Sequence, residues 1–256
     1  MINIVKKTRL TTRLGRKKMF KYILFDMDGT LLHFDHDEFA REYFTLLSAK
    51  LAHLVEPKLL IQQLLFSTKE MVNNLNKNKT NEQVFWDDFT KKLNISAEIL
   101  KPVVDQFYAQ DFDLVRRVTK SDINVRKILN AVISQGKGMV VATNPIFPMA
   151  AVKQRLEWAG VGDITFQHIT SYEKSHFCKP NIQYYQEILQ QIACRPEECL
   201  MVGNDVEEDL VAGEIGIKTY LVTDNVINSK GLEPKADYIS TLAELAANID
   251  RMLAGE

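Results

Sequence analysis

The chain has 256 residues, of which 46% are hydrophobic and 25% charged, an ordinary composition that excludes wholesale disorder. With 32 basic and 33 acidic side chains its formal net charge is −1, so the overall charge indicates no nucleic-acid or anionic-membrane partner. No run approaches the ~18 to 20 apolar residues needed to cross a bilayer. Cys178, Cys194 and Cys199 form no CxxC pair, which favours reduced thiols and a cytoplasmic location.

The first 18 residues form a basic segment with no acidic side chain. Met19 stands directly before the first apolar run, so we interpret residues 1–18 as a dispensable tail or as the product of an upstream start codon. A targeting or anion-contacting role is the alternative, because an arginine-rich, acid-free leader can resemble a transit peptide.

Two kinds of periodicity divide the rest of the chain. Tyr22 to Phe25 is a short apolar run that predicts a buried strand. Residues from about 35 to 115 then show helical spacing of apolar positions, interrupted by the polar stretch 73–81, which predicts an all-helical insert of paired helices.

From about residue 121 onward the pattern alternates between β and α. Helices are predicted at 123–134, 149–158 and 182–193, near Asp209, and from 242; strands are predicted at 138–142, 166–169, 199–202, 219–222 and 238–239. Strands that alternate with helices in this way predict a parallel, doubly wound α/β sheet.

Polar residues follow several of the predicted strands at the point where each strand ends. They are Asp26 and Asp28 after the first, Thr143 and Asn144 after the second, and Asn204 and Asp205 after a later one, with Lys179 in a loop leading into a helix. The carboxyl ends of parallel strands open on one crevice, where these side chains can converge. Paired carboxylates with oxygen donors favour Mg²⁺, and a lysine can offset the charge of carboxylate and phosphate.

The ordered set of motifs resembles the haloacid dehalogenase-like hydrolase superfamily. It consists of Asp26-Met27-Asp28-Gly29-Thr30, Thr143-Asn144, Lys179-Pro180, and Val202-Gly203-Asn204-Asp205 through Asp209. The resemblance implies a Rossmann-like core with a mobile cap. We therefore predict a core domain of residues 19–34 and 116–256, and a helical cap domain of residues 35–115.

The resemblance also implies a role for each motif. Asp26 would be the nucleophile and Asp28 the general acid and base, while Lys179 would orient Asp26 and stabilise the transferring group. Thr143 and Asn144 would hold phosphoryl oxygens. His33, in the hinge leading into the cap, is a further candidate for substrate binding, although packing could equally explain it.

Magnesium would be held by Asp26, by the backbone carbonyl of Asp28, and by the fourth motif. That motif departs from the family pattern, since the position directly after Gly203 is Asn204 and the acid is displaced to Asp205. We favour Asp205 as the direct ligand and keep Asn204 as the alternative. Glu207 and Glu208 are expected in the first turn of the helix near Asp209, with a structural role.

The function that this pattern favours is Mg²⁺-dependent hydrolysis of a small phosphorylated metabolite. A phosphomutase of the β-phosphoglucomutase type would use the same residues and remains an alternative. A non-catalytic binding or regulatory protein is the third, because Asn204 could have weakened metal binding. Dehalogenation is disfavoured, because Asp28 is the aspartate that phosphotransfer members keep and dehalogenases lack. The sequence indicates no oligomeric state.

Overall fold

A computed structural model describes residues 20–254, and the predicted tail, residues 1–18, lies outside that range. The first half contains β1 (Tyr22–Phe25), β2 (His33–Phe34), α1 (His36–Leu51), α2 (Pro57–Asn73), α3 (Asn81–Leu93), α4 (Ala97–Gln110), a 3₁₀ segment (Phe112–Val118) and β3 (Thr119–Lys120). The second half contains α5 (Ile123–Ser134), β4 (Gly138–Val141), α6 (Met149–Trp158), β5 (His168–Ile169), α7 (Ile182–Gln191), a 3₁₀ turn (Pro196–Glu198), β6 (Cys199–Gly203), a 3₁₀ segment (Leu210–Ile215), β7 (Lys218–Val222), β8 (Tyr238–Ser240) and α8 (Leu242–Ala254).

Six strands form one sheet in the order β5-β4-β1-β6-β7-β8, and every neighbouring pair in it is parallel. Ile23 and Phe25 pack into the apolar cluster that contains α5 and α8, whereas Leu24 packs into the cluster that contains α7. Successive strand residues point to opposite faces, so helices cover both faces of the sheet. The predicted doubly wound α/β fold is confirmed.

The four helices α1 to α4 lie between β2 and β3, which pair with each other in antiparallel register. The chain therefore enters and leaves the helical insert side by side. Local chemistry explains where these helices begin: the Asp35 carboxylate accepts from the Glu38 N–H at 2.9 Å, and Thr80 and Gln83 form a capping box. The 3₁₀ segment Phe112–Val118 runs across the predicted boundary between residues 115 and 116, and the domain division stays a prediction.

One predicted helix, near Asp209, is not an α-helix. The segment after Asp209 is only the 3₁₀ segment Leu210–Ile215, which ends at Gly216 with φ of 93°. Glu207 and Glu208 lie in the turn that precedes it rather than in the first turn of a helix, so that expectation was wrong. Within residues 20–254, no helix is both long enough and apolar enough to cross a membrane.

Candidate active site

The three central strands end level with one another. Phe25 of β1 is aligned with Val141 of β4 and with Val202 of β6. The Asp26 N–H then donates to the Val202 carbonyl at 2.9 Å. This register brings the residues that follow the strands, Asp26 among them, to one edge of the sheet, as expected for a parallel sheet.

Asp26 and Lys179 form a buried ion pair at this edge. Lys179 Nζ donates to Asp26 Oδ1 at 2.7 Å and to Asp209 Oδ1 at 2.6 Å, and the lysine is fully buried. A buried ammonium needs such partners, because taking a charge out of water without compensation costs several kcal/mol. The lysine therefore links the end of β1 to the loop after β6.

The charges of this group shift one another's pKa values. Burial alone would lower the pKa of Lys179, but Asp209 and Asp26 outweigh it and raise the pKa well above its ordinary value. The ammonium consequently stays charged at neutral pH, and it holds the Asp26 carboxylate in one orientation.

Asp28 has a partner that the sequence did not indicate. Arg155, in the last turn of α6 and fully buried, places Nη1 at 2.8 Å from Asp28 Oδ1 and 2.5 Å from Oδ2. Its guanidinium also lies 4.5 Å from the centre of the Phe147 ring. Arg155 Nε and Nη2 are buried and have no hydrogen-bond partner among the described residues.

The turn after Asp28 requires a glycine. Gly29 has φ of 91°, and a Cβ there would lie 2.3 Å from Asn204 Nδ2. Thr30 Oγ1 donates to Asn204 Oδ1 at 2.8 Å, and Asn204 Nδ2 donates to the Asn225 carbonyl at 2.8 Å. The buried Asn204 amide thus fixes the first motif against the fourth.

Asp205 shapes the loop after β6. Its Oδ1 accepts from the N–H groups of Glu207 at 2.7 Å and Glu208 at 2.8 Å, and its own N–H donates to Asp209 Oδ2 at 2.9 Å. A Cβ on Gly203 would lie 2.0 Å from Asp209 Oδ2. Only glycine at this position therefore allows Asp209 to reach Lys179.

Thr143 and Asn144 follow β4 at the same edge. Thr143 is buried, and its carbonyl accepts from Thr170 Oγ1 at 2.7 Å and from the Tyr184 hydroxyl at 2.8 Å. Asn144 Nδ2 donates to Glu208 Oε1 at 2.9 Å. Burial raises the pKa of Glu208 to about 7, although Lys179 opposes that rise.

His33 lies in β2, at the base of the helical insert. Its Nδ1 contacts Asn225 Nδ2, and its Nε2 is buried without a hydrogen-bond partner among the described residues. Asn225 also donates to the Gly29 carbonyl at 3.4 Å. The structure therefore places His33 beside the turn that follows Asp28.

The donor set at this edge fits a hard divalent cation. Burial raises the pKa of Asp26 and of Asp205, and neighbouring carboxylates add to the rise while Lys179 opposes it, so ionising these two groups is costly. A bound cation would relieve that cost. Within residues 20–254, no three His, Cys, Asp or Glu side chains form a metal cage by themselves. Mg²⁺ does not need one, since it keeps several waters and takes one or two carboxylates.

Sequence reasoning missed two groups of residues here. Asp209 was part of the fourth motif but was given no role, although its spacing after Asp205 could have suggested one. Arg155 and Asn225 gave no signal, because an arginine inside a helix and an asparagine in a loop are ordinary. Only the tertiary fold brings them to the strand ends.

Comparison with known proteins identifies the family of this chain. Residues 20–225 match the family model described as "Hydrolase: haloacid dehalogenase-like hydrolase", so the chain belongs to that family. Over 75 residues it is 33% identical to the glyceraldehyde 3-phosphate phosphatase of Methanothermobacter thermautotrophicus. That match covers 29% of this chain and 31% of the archaeal enzyme, so the chain spans about a third of its relative's length.

Solved structures show the same fold over nearly the whole chain. A phosphatase of the family from Thermococcus onnurineus superposes with a TM-score of 0.56 at 17% identity, covering 93% of this chain and 99% of the other. A family hydrolase from Deinococcus radiodurans R1, solved with bound phosphate and sodium, gives 0.54 at 17% identity, covering 92% and 98%. At such identities the likeness supports the fold alone.

Proposed function

We propose that this chain is a phosphatase that hydrolyses a small-molecule phosphate monoester through an aspartyl-phosphate on Asp26, with Mg²⁺ as cofactor. The observation that carries the proposal is the buried Lys179, bonded at once to Asp26 and Asp209 at the carboxyl end of a parallel sheet. Membership of the family and the similarity to an archaeal phosphatase support it.

In the first step, an Asp26 carboxylate oxygen forms a bond to phosphorus while the bond from phosphorus to the ester oxygen breaks. The departing oxygen takes a proton from the carboxylic acid form of Asp28, so the products are an alcohol and the aspartyl-phosphate. Lys179 holds Asp26 in line and offsets the charge spread over the transferring group.

In the second step, water attacks the phosphorus of the aspartyl-phosphate. Asp28, now a carboxylate, accepts the proton of that water, and the bond between phosphorus and the Asp26 oxygen breaks. Inorganic phosphate leaves, and both aspartates return to their starting protonation. Thr143, Asn144 and His33 are the candidates for holding the substrate.

Asp26, the Asp28 carbonyl and the loop after β6 would hold the magnesium. When bound, the ion neutralises charge on the phosphoryl oxygens. Thr30 already donates to Asn204 Oδ1, which favours Asp205 over Asn204 as the direct ligand from that loop. The substrate we propose is a small phosphorylated metabolite, and the three free cysteines favour a cytoplasmic setting.

The test measures inorganic phosphate released from acetyl phosphate by metal-stripped protein, with and without added Mg²⁺. We expect release only with Mg²⁺, and a loss of at least about 10³-fold in both Asp26→Asn and Asp28→Asn. Asp250→Asn, an exposed aspartate in α8, is the matched control and should keep the wild-type rate.

Two results would count against the proposal. If Asp26→Asn released phosphate at the wild-type rate, Asp26 would not be the nucleophile. A protein that binds Mg²⁺ but releases phosphate from no ester would favour the non-catalytic alternative. Conversion of one sugar phosphate isomer into another, when the protein is primed with a sugar bisphosphate, would identify a mutase instead.

A further inference from the structure

A cavity of about 280 Å³ lies between the helices of the insert and the loops at the strand ends. Its wall includes Asp28 and the rings of Phe34, Phe39, Trp86, Phe89 and Phe147. Native interiors contain few voids larger than a water molecule. A dry apolar cavity of ~150 Å³ already binds benzene, so this one has room for a larger organic group.

The position of the cavity connects it to the reaction. Asp28 lies in its wall, and in the proposed function Asp28 protonates the departing oxygen. The organic part of the ester must therefore extend from Asp28 into this space. Leu65, also in the wall, is 53% exposed, so the cavity reaches the protein surface.

The wall offers little to a polar substrate. No lysine or arginine of the described residues lines the cavity. The Tyr43 and Tyr108 hydroxyls bond to each other at 2.8 Å, and Trp86 Nε1 donates to the Tyr172 hydroxyl at 3.5 Å. Each of these pairs leaves one phenol O–H free to donate, and Thr68 also lies in the wall. A sugar with several hydroxyls would still bury most of them without partners, at a cost of about 1 to 3 kcal/mol for each.

A second anionic group on the substrate would be disfavoured in the same way. Arg155 is the cation near this wall, and its Nη1 is engaged by both oxygens of Asp28. Arg155 Nε and Nη2 have no partner among the described residues, but Arg155 is not part of the wall, and the basic side chain that is, His36, lies exposed. A buried charge needs a partner, so a second anionic group is disfavoured inside the cavity. Aromatic and branched apolar walls instead complement a ring of similar chemistry.

We infer that the substrate is the phosphate monoester of an apolar, ring-containing alcohol, up to the size of a bicyclic aromatic. This inference rests on the proposed function, because it assumes that the departing alcohol lies beside Asp28. It adds the class of the alcohol, which the reaction chemistry does not determine.

The experiment compares two alkyl phosphates whose alcohols have similar intrinsic reactivity. We expect kcat/KM for 2-naphthylmethyl phosphate to exceed that for glycerol 3-phosphate by about 10²-fold, since burying ~100 Å² of apolar surface contributes about that factor. Acetyl phosphate, which has no large leaving group, reports on the reaction chemistry independently of the cavity.

A variant that fills the cavity links the preference to this space. Ala40 lines the cavity from α1, whereas Ala49 lies exposed on the same helix. Ala40→Phe should lower the ratio of kcat/KM for 2-naphthylmethyl phosphate to that for acetyl phosphate by about tenfold or more, and Ala49→Phe should not change it. The fluorescence of 2-naphthylmethanol measures its binding to the inactive variant Asp26→Asn. This binding should weaken when Ala40→Phe is added to Asp26→Asn.

The outcomes separate this inference from the proposed function. Hydrolysis of acetyl phosphate with equal or better use of glycerol 3-phosphate would overturn the inference and leave the phosphatase standing. Binding of 2-naphthylmethanol that Ala40→Phe abolishes, without hydrolysis of any ester, would support the cavity and overturn the reaction. A protein that hydrolyses acetyl phosphate but binds no 2-naphthylmethanol would show that the cavity is closed to ligands.

Discussion

The strand-end site and the cavity beside it are built on opposite principles. At the strand ends, buried charges are held by short bonds, such as those of Lys179 to Asp26 and Asp209. In the cavity, aromatic and aliphatic surfaces meet with few polar groups, and the hydroxyls of Tyr43 and Tyr108 bond to each other. The strand-end site therefore fixes the positions of its side chains, whereas the cavity restricts only the shape and polarity of the group that it can bind.

This difference determines how each region should respond to mutation. A buried charge that loses its partner has no alternative, so single changes at the strand ends should be costly. Apolar walls can be altered with smaller effects if volume is conserved. The following predictions test the contrast, beginning with the largest effect.

Lys179→Met should give the largest loss of stability among the variants that follow. It leaves Asp26 and Asp209 buried side by side without their shared cation, which should lower the free energy of unfolding by about 3 to 5 kcal/mol. Release of phosphate from acetyl phosphate should fall by at least about 10²-fold, because the charge opposite the transferring group is lost. Urea unfolding followed by circular dichroism measures the first quantity.

Lys174→Met is the matched control, since Lys174 is exposed only five positions away, and it should change stability by less than about 0.5 kcal/mol. Adding Asp209→Asn to Lys179→Met should recover part of the loss, because one uncompensated carboxylate disappears. Equal urea midpoints for wild type and Lys179→Met would contradict the view that this ion pair organises the strand ends.

Arg155→Leu should cost less, because Arg155 lies where the two regions meet. It leaves Asp28 without its partner, but the Asp28 side chain is 27% exposed and can be hydrated. The variant also removes two buried nitrogen donors, Nε and Nη2, that have no partner among the described residues. We therefore expect a loss of about 1 to 3 kcal/mol in the free energy of unfolding.

The control for Arg155 is a second arginine–aspartate pair that is exposed. Arg126 bonds to Asp163 across the surface, and Arg126→Leu should cost no more than about 1 kcal/mol. If Arg155→Leu and Arg126→Leu lowered the free energy of unfolding in urea by the same amount, burial of Arg155 would not make its ion pair more important for stability than the exposed one.

The residues of the strand-end site were easier to predict from the sequence than the cavity, for a physical reason. Asp26, Thr143 and Asn204 each follow an apolar run, and a parallel sheet brings such positions to one edge whatever the details of packing. Arg155 reaches Asp28 only because α6 packs against that edge. The cavity depends on how α1 to α4 pack against one another and against the loops at the strand ends. Helical spacing gives each helix an apolar face but does not predict the space that remains between the faces.

The tyrosine pair tests the claim that the cavity has few free polar groups. Burial raises the pKa of Tyr43 to about 12, so its hydroxyl remains neutral under ordinary conditions. Tyr108→Phe should cost about 1 to 2 kcal/mol in unfolding free energy, because it leaves the Tyr43 hydroxyl without a partner. The double variant Tyr43→Phe/Tyr108→Phe should be nearer to wild type than Tyr108→Phe alone.

Urea unfolding of the single and double variants measures this coupling directly. Tyr238→Phe, at an exposed tyrosine of β8, gives the effect of removing a hydroxyl in water. A double variant that lost the sum of both single losses would mean that each hydroxyl has its own partner, and the cavity would then be more polar than we infer.

The smallest effect concerns His168, which lies in β5, outside both regions. Burial, with Lys174 adding to it, lowers the pKa of His168 below its ordinary value. The unfolded chain then binds the proton more readily, so the contribution of His168 is present above about pH 6.5 and is lost as the pH falls below it.

His168→Asn should therefore lose less stability than wild type between pH 7.5 and pH 5.5, by under about 1 kcal/mol in unfolding free energy. His53→Asn, at an exposed histidine of the helical insert, should leave that pH dependence unchanged. An identical pH dependence in wild type and His168→Asn would mean that burial does not disfavour the charged imidazole in β5. Any loss of unfolding free energy at low pH that persists in His168→Asn would then arise from other titratable groups. Among the described carboxylates, those at the strand ends are the most deeply buried.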